Sequence, residues 1–177
     1  MPQSPGDPSS EVEEGGSTFE GVPEGSGPAA APSPELLSLI AFSLDNEWYA
    51  LEIRHVRGIE PEMEITPVPG APEWLAGVFN LHGAILPAID PRSLLGVESR
   101  GRKGGGLLIL FQWDGNQAAL LADTVDEMYE LSRTSLEPQL FTAEGPQAAL
   151  IQGQVRVRDR LIGVVDLAAL VDTLLGG

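Results

Sequence analysis

Few residues in this 177-residue chain could do acid–base, metal or nucleophilic chemistry. Cysteine is absent, which excludes a thiol nucleophile, a disulfide framework and a Cys-based zinc site. The two histidines, His55 and His82, lack the short spacing that brings two imidazoles to one metal. They read as surface residues, one on a strand or turn and the other in a loop. Asp90 and Asp166 each end an apolar stretch, where a phospho-accepting or metal-binding carboxylate could sit. Each also precedes a short helical pattern, so a capping role accounts for both without chemistry. Asp123, Asp126, Glu127 and Glu130 crowd one segment without the Asp/Asn/Gly spacing of a calcium loop. They read as a solvated or partner-facing edge. The chain contains no Gly-x-Ser-x-Gly elbow and no Gly-x-x-x-x-Gly-Lys phosphate loop. The run Gly104-Gly105-Gly106 precedes no helix that could hold a phosphate. Neither catalytic residues nor metal ligands nor a cofactor are expected.

Charge narrows the partners. The chain carries 26 Asp+Glu against 10 Lys+Arg, a formal charge of −16. Nucleic acid and anionic membrane surfaces call for a basic footprint, so neither is expected as a partner. No apolar run approaches the roughly 18–20 residues of a membrane span. Residues 1–34 hold 7 Pro, 6 Gly, 6 Ser and 6 acids, and none of the basic residues. With only Val12, Phe19 and Val22 to bury, this segment reads as a disordered acidic tail. It has neither the positive start nor the apolar stretch of a secretory leader, and a cytoplasmic location is expected. The folded domain should span 35–177, long enough to build its own core.

The elements that must position any site are strands. Leu39–Leu44, a turn at Asp45-Asn46-Glu47 and a return strand at Trp48–Ile53 form one hairpin pattern. Leu107–Trp113, Asp114-Gly115-Asn116 and Gln117–Ala122 repeat it. A shift of 69 residues places Phe42 on Phe111, Asp45 on Asp114, Leu51 on Leu120 and Val56 on Val125. A shift of 76 places Gly77, Ile85, Ile89, Asp90 and Leu94 on Gly153, Leu161, Val165, Asp166 and Leu170. The layout predicts two similar halves, about 36–97 and 106–175, joined by the Arg100–Gly106 linker. Each half should hold four or five strands and a terminal helix capped by Asp90 or Asp166. Sheets this small hide their edges by curling, so each half is expected to form its own small β-barrel, the two packed together. The fold class is mainly β.

The segment Gly77-Val78-Phe79-Asn80-Leu81-His82-Gly83, continuing through Pro87, Asp90, Arg92 and Leu94-Leu95-Gly96, resembles the signature of CheW-type chemotaxis coupling proteins. Tyr49-Ala50-Leu51-Glu52-Ile53 with Val56 and Ile59, and Ile65-Thr66-Pro67-Val68-Pro69, are similar to the same family, over about 36–175. The resemblance implies two packed SH3-like five-stranded barrels with short helices. It also implies a non-enzymatic adaptor that couples the cytoplasmic tip of a chemoreceptor to the regulatory domain of a CheA-type histidine kinase. By the same resemblance Val56, Asn80, Leu81 and His82 face the receptor, and Arg57, Gly58 and Ile59 face the kinase. On the residues alone, Val56 reads equally as a core position and Asn80 as a turn-shaping amide.

Two positions depart from the family pattern: His82 stands where it has Arg, and Gly58 where it often has an acid. A rival reading is therefore a divergent modulator that binds one partner and limits array growth. A second rival is a small-ligand sensor with a cavity near Trp48, Trp74 and Trp113.

Overall fold

The computed structural model describes residues 35–101, 104–138 and 146–176. The acidic segment 1–34, and Arg102 and Lys103 of the linker, lie outside them. In chain order the elements are β1 (Leu36–Leu44), β2 (Glu47–Glu52), β3 (Val56–Pro61), β4 (Leu75–Leu81), β5 (Ala84–Ile89) and the one-turn helix α1 (Arg92–Leu95). The second half continues with β6 (Leu107–Trp113), β7 (Asn116–Ala122), β8 (Thr124–Ser132), β9 (Ile151–Val157), β10 (Arg160–Val165) and α2 (Leu167–Gly176). The two predicted hairpins are present as β1–β2 and β6–β7.

The repeat read from the sequence is a structural one. Asp45 and Asp114 hold the same left-handed turn position, at φ 56° and 48°, and His82 and Arg158 hold another, at 52° and 57°. Each barrel is closed by a short bridge made just after the third strand of one half of the chain, Thr66 to Val78 after β3 and Glu137 to Gln154 after β8. Gly77 and Gly153 permit this crossing, because a side chain at either would collide with the carbonyl of Thr66 or Glu137.

The expectation that each half curls into its own barrel is overturned. One sheet runs β8-β1-β2-β10-β9 and the other β3-β6-β7-β5-β4. Each barrel therefore takes a hairpin from one half and three strands from the other. The cause is local. Only the three-residue 3-10 turn Ile53–His55 separates β2 from β3, and it hands the chain into the other sheet. The open edges of the β1–β2 hairpin are then filled by β8, antiparallel, and by β10, parallel. The β6–β7 hairpin is completed the same way by β3 and β5.

Burial follows from this exchange. On β1, Leu37, Leu39 and Ala41 fill one barrel, with Val155, Ile162 and Val164. The alternate residues Ile40, Phe42 and Leu44 enter the core between the barrels, with Ile109, Phe111, Leu120 and Leu170. Phe79, Leu86, Leu108 and Leu121 fill the second barrel. A strand buried on both faces reads as a continuous apolar run, which is why 39–44 and 107–111 show little polar alternation. Truncating a side chain such as Phe42, fully buried between the barrels, costs about 3–5 kcal/mol.

Candidate functional site

The residues singled out for recognition fall into two groups on different strands. Val56 opens β3, half-buried against the inter-barrel core and opposite Phe111. The next residue interrupts the ladder: Val56 pairs with Phe111 but Gly58 with Leu110, so two residues of β3 face one of β6. This bulge turns Arg57 outward, where its Nε donates to Gln112 Oε1 at 2.8 Å and its Nη1 to the Arg54 carbonyl at 3.0 Å. Ile59 lies on the same outer side, 38% exposed. A Cβ at Gly58 would meet only Leu110 Cδ1, at 3.5 Å, so the missing acid of the family pattern leaves no collision behind.

The second group is the tip of the β4–β5 hairpin. His82 and Gly83 form its two-residue turn, both with left-handed backbone, at φ 52° and 94°. Such turns favour Asn-Gly, and histidine is among the few other residues that tolerate the first position. The Asn80 Oδ1 accepts from the Gly83 amide at 2.8 Å, the turn-shaping role its type allows. Leu81 points inward onto the second barrel's core, while Asn80 and His82 are exposed. Beside them, a cleft of about 350 Å³ is bordered by Met63, Thr66, Val78, Asn80 and Ile85. Ile85 is 63% exposed. The two groups lie on different strands, β3 and the β4–β5 hairpin, of the same five-stranded sheet.

His55 joins the first group. Its ring lies 4.8 Å from that of Trp113, centroid to centroid. Partial burial and the neighbouring Arg54 and Arg57 push its pKa below the ordinary value, opposed by Glu52. Glu52, itself buried, accepts from Arg54 Nε at 2.8 Å and from Gln152 Nε2 at 3.2 Å.

Sequence reasoning missed the most heavily bonded polar group. Arg92, 4% exposed, pairs with Asp45 Oδ2 at 2.9 Å, Asp90 Oδ1 at 3.0 Å and Asp123 Oδ1. Burial works against its charge, but hydrogen bonds to the three carboxylates outweigh that and hold its pKa above normal. Asp90 thus serves the guanidinium and also accepts from the Arg92 amide at 3.2 Å. Asp166, its repeat counterpart, caps α2 by accepting from the Ala169 amide at 3.1 Å. The one signal available was an arginine placed after an apolar strand and amid apolar neighbours, where only carboxylates can hold it.

The acidic segment 123–130 lies along the end strand β8 with Asp123, Glu127 and Glu130 exposed, the solvated edge read from the sequence, and most of its charge is paired within the chain. Asp123 binds Arg92, Asp126 binds Arg160, and Glu127 pairs with Arg158, so three of the four acids are spent inside the chain. Arg160 in turn lies 3.9 Å over the Trp48 ring. The tryptophans have separate surroundings: Trp48 carries Arg160, Trp113 carries His55, and Trp74 packs on the inter-barrel core. Among the described residues no group of three or more His, Asp or Glu is arranged to hold a metal, and no helix is long and apolar enough to cross a membrane.

Residues 38–174 match the family model described as the CheW-like domain. The chain belongs to the CheW-like family. It is 30% identical to the chemotaxis protein CheW of Rhizobium meliloti (strain 1021) over 129 residues, 73% of this chain and 83% of that one. It is 23% identical to the Bacillus subtilis (strain 168) chemotaxis protein CheW, over 76% of this chain and 86% of that one. Among solved structures it resembles the scaffolding protein TtCheW from Thermoanaerobacter tengcongensis, with a TM-score of 0.67 and 28% identity. That likeness covers 80% of this chain and 91% of TtCheW. The CheW-like fold of two SH3-like five-stranded barrels is thus the fold of this chain, and its repeat is the relation between the barrels.

Proposed function

We propose that this protein is a non-catalytic adaptor of a chemosensory pathway, working in the cytoplasm at receptor arrays. It joins the cytoplasmic tip of a chemoreceptor to the regulatory domain of a CheA-type histidine kinase. The family match over residues 38–174 carries this reading. The receptor-facing residues are Val56, Asn80, Leu81 and His82, and the kinase-facing residues Arg57, Gly58 and Ile59. The geometry supports a contact role for Arg57, Ile59, Asn80 and His82, whose side chains point to solvent. Val56 and Leu81 act through shape, because each is partly spent on core packing.

The test is size-exclusion chromatography with light scattering on the full chain. It is mixed separately with a receptor-tip fragment and with the kinase regulatory domain of the same genome. Complexes with both are expected, and no complex with either would sink the reading. Gly58 and His82 favour one variation, a modulator that engages a single partner, because the acid and the arginine of the family pattern are both missing. A complex with only one of the two fragments supports that variation.

A further inference from the structure

Among the described residues, four of the eight strand pairings join the two halves of the chain: β1 with β8, β2 with β10, β3 with β6 and β5 with β7. The other four are the hairpins that each half makes alone. Both barrel cores mix the halves in the same way. Leu37, Leu39 and Ala50 meet Val155, Ile162 and Val164 in one, and Phe79, Leu86 and Ala88 meet Leu108, Ala119 and Leu121 in the other. Polar contacts repeat the pattern, with Arg92 reaching Asp123 and Gln152 reaching Glu52. A half by itself is two hairpins, a lone strand and a helix, and the strand edges it leaves open are filled by the other half. Covalently the halves are joined by residues 98–106 alone, a stretch with four glycines. None of the strand pairings depends on which chain supplies the second half.

We propose that the assembling unit of this fold is the half-chain, and that the partner it fits includes the complementary half of a second copy. Two chains folding together exchange halves, each pair of barrels then being built from residues 36–97 of one copy and 106–175 of the other. The order of events selects the product. Pairing within one chain prevails when the linker returns the second half before another chain arrives, because tethering gives it a high effective concentration. Exchange gains when protein concentration rises during folding or when the linker is shortened, the usual route to domain swapping.

The absence of cysteine makes the test direct. Ser38 on β1 and Glu130 on β8 are register partners across the halves. Full-length Ser38→Cys and Glu130→Cys chains are mixed, unfolded together, refolded at increasing concentration and oxidised. A disulfide between the two chains is expected, its fraction rising with concentration, whereas mixing the already folded chains gives only a background level. Refolded mixtures that never exceed that background overturn the proposal. Deleting residues 101–105 from both chains removes up to about 17 Å of linker reach and should raise the cross-linked fraction several-fold. An unchanged fraction at equal folding, read by circular dichroism, overturns the role given to the linker.

Discussion

The two halves of the chain share a layout, yet they spend equivalent residues differently. Asp166 does what its position predicts, capping the ten-residue helix α2. Asp90, in the same place in the first half, precedes only a one-turn helix and is drawn to the Arg92 guanidinium. Arg92 has Ala168 as its counterpart, so the second half has no such ion cluster at this place. The left-handed turn positions diverge likewise: Asp45 binds Arg92, and Arg158 pairs with Glu127 where the first half has the exposed His82. A duplicated scaffold needs its small and apolar positions twice. Its polar positions are released to do separate work, one half fastening the barrels together and presenting the candidate recognition turn.

Among the polar positions, removing the fastening should have the largest effect. Arg92→Leu strands three carboxylates without their shared cation, and a loss of about 3 kcal/mol is expected in urea unfolding. Ala168→Arg, its mirror image, has no carboxylate trio to meet and should recover none of that loss. Next come the two equivalent acids. Asp166→Ala should cost about 1 kcal/mol, the value of a helix cap, while Asp90→Ala should cost more because it also removes one partner of a buried arginine. Equal losses would erase the distinction between the halves.

A pH effect sharpens the comparison at the junction of β2 and β3. The folded His55 has a lowered pKa, so the unfolded chain takes up its proton first as pH falls. Its contribution to stability is therefore complete above the unfolded value near 6.5 and is lost as pH drops toward the folded value. The melting temperature of His55→Gln should fall less than that of the parent between about pH 7 and 5. The smallest effect belongs to the departures from the family pattern. Gly58→Glu and His82→Arg restore its charges at positions with open space or exposure, and each should change stability by no more than about 0.5 kcal/mol. Under the adaptor reading the same pair should tighten partner binding in the chromatographic assay. Unchanged binding would show that the lost charges carry no contact.

Much of the fold was legible because it depends on local pattern. The hairpins read at 39–53 and 107–122 showed as apolar runs broken by Asp-containing turns, the first in fact beginning three residues earlier at Leu36, and the terminal helix showed through Asp166 and the closing glycines. The turn role of Asn80 was also within reach, since an amide three residues before a glycine turn has few other uses. The Arg92 cluster was not, because its carboxylates lie 47, 2 and 31 residues away along the chain. The inward turn of Leu81 and the bulge at Arg57 were equally hidden, being consequences of strand register.

From its residues alone this chain determined where its two leading hairpins lie, that the layout occurs twice, and which family signature it carries. These are properties of neighbours in sequence: turn chemistry, capping and apolar run length act within a few residues. Which strands pair was decided only in three dimensions. Two similar halves offer nearly the same apolar edges to each other as to themselves, so hydrophobic pattern cannot separate the choices. The three-residue turn after β2 separates them by sending the chain across to the other sheet, and the ion cluster at Arg92 then joins what the crossing has brought together.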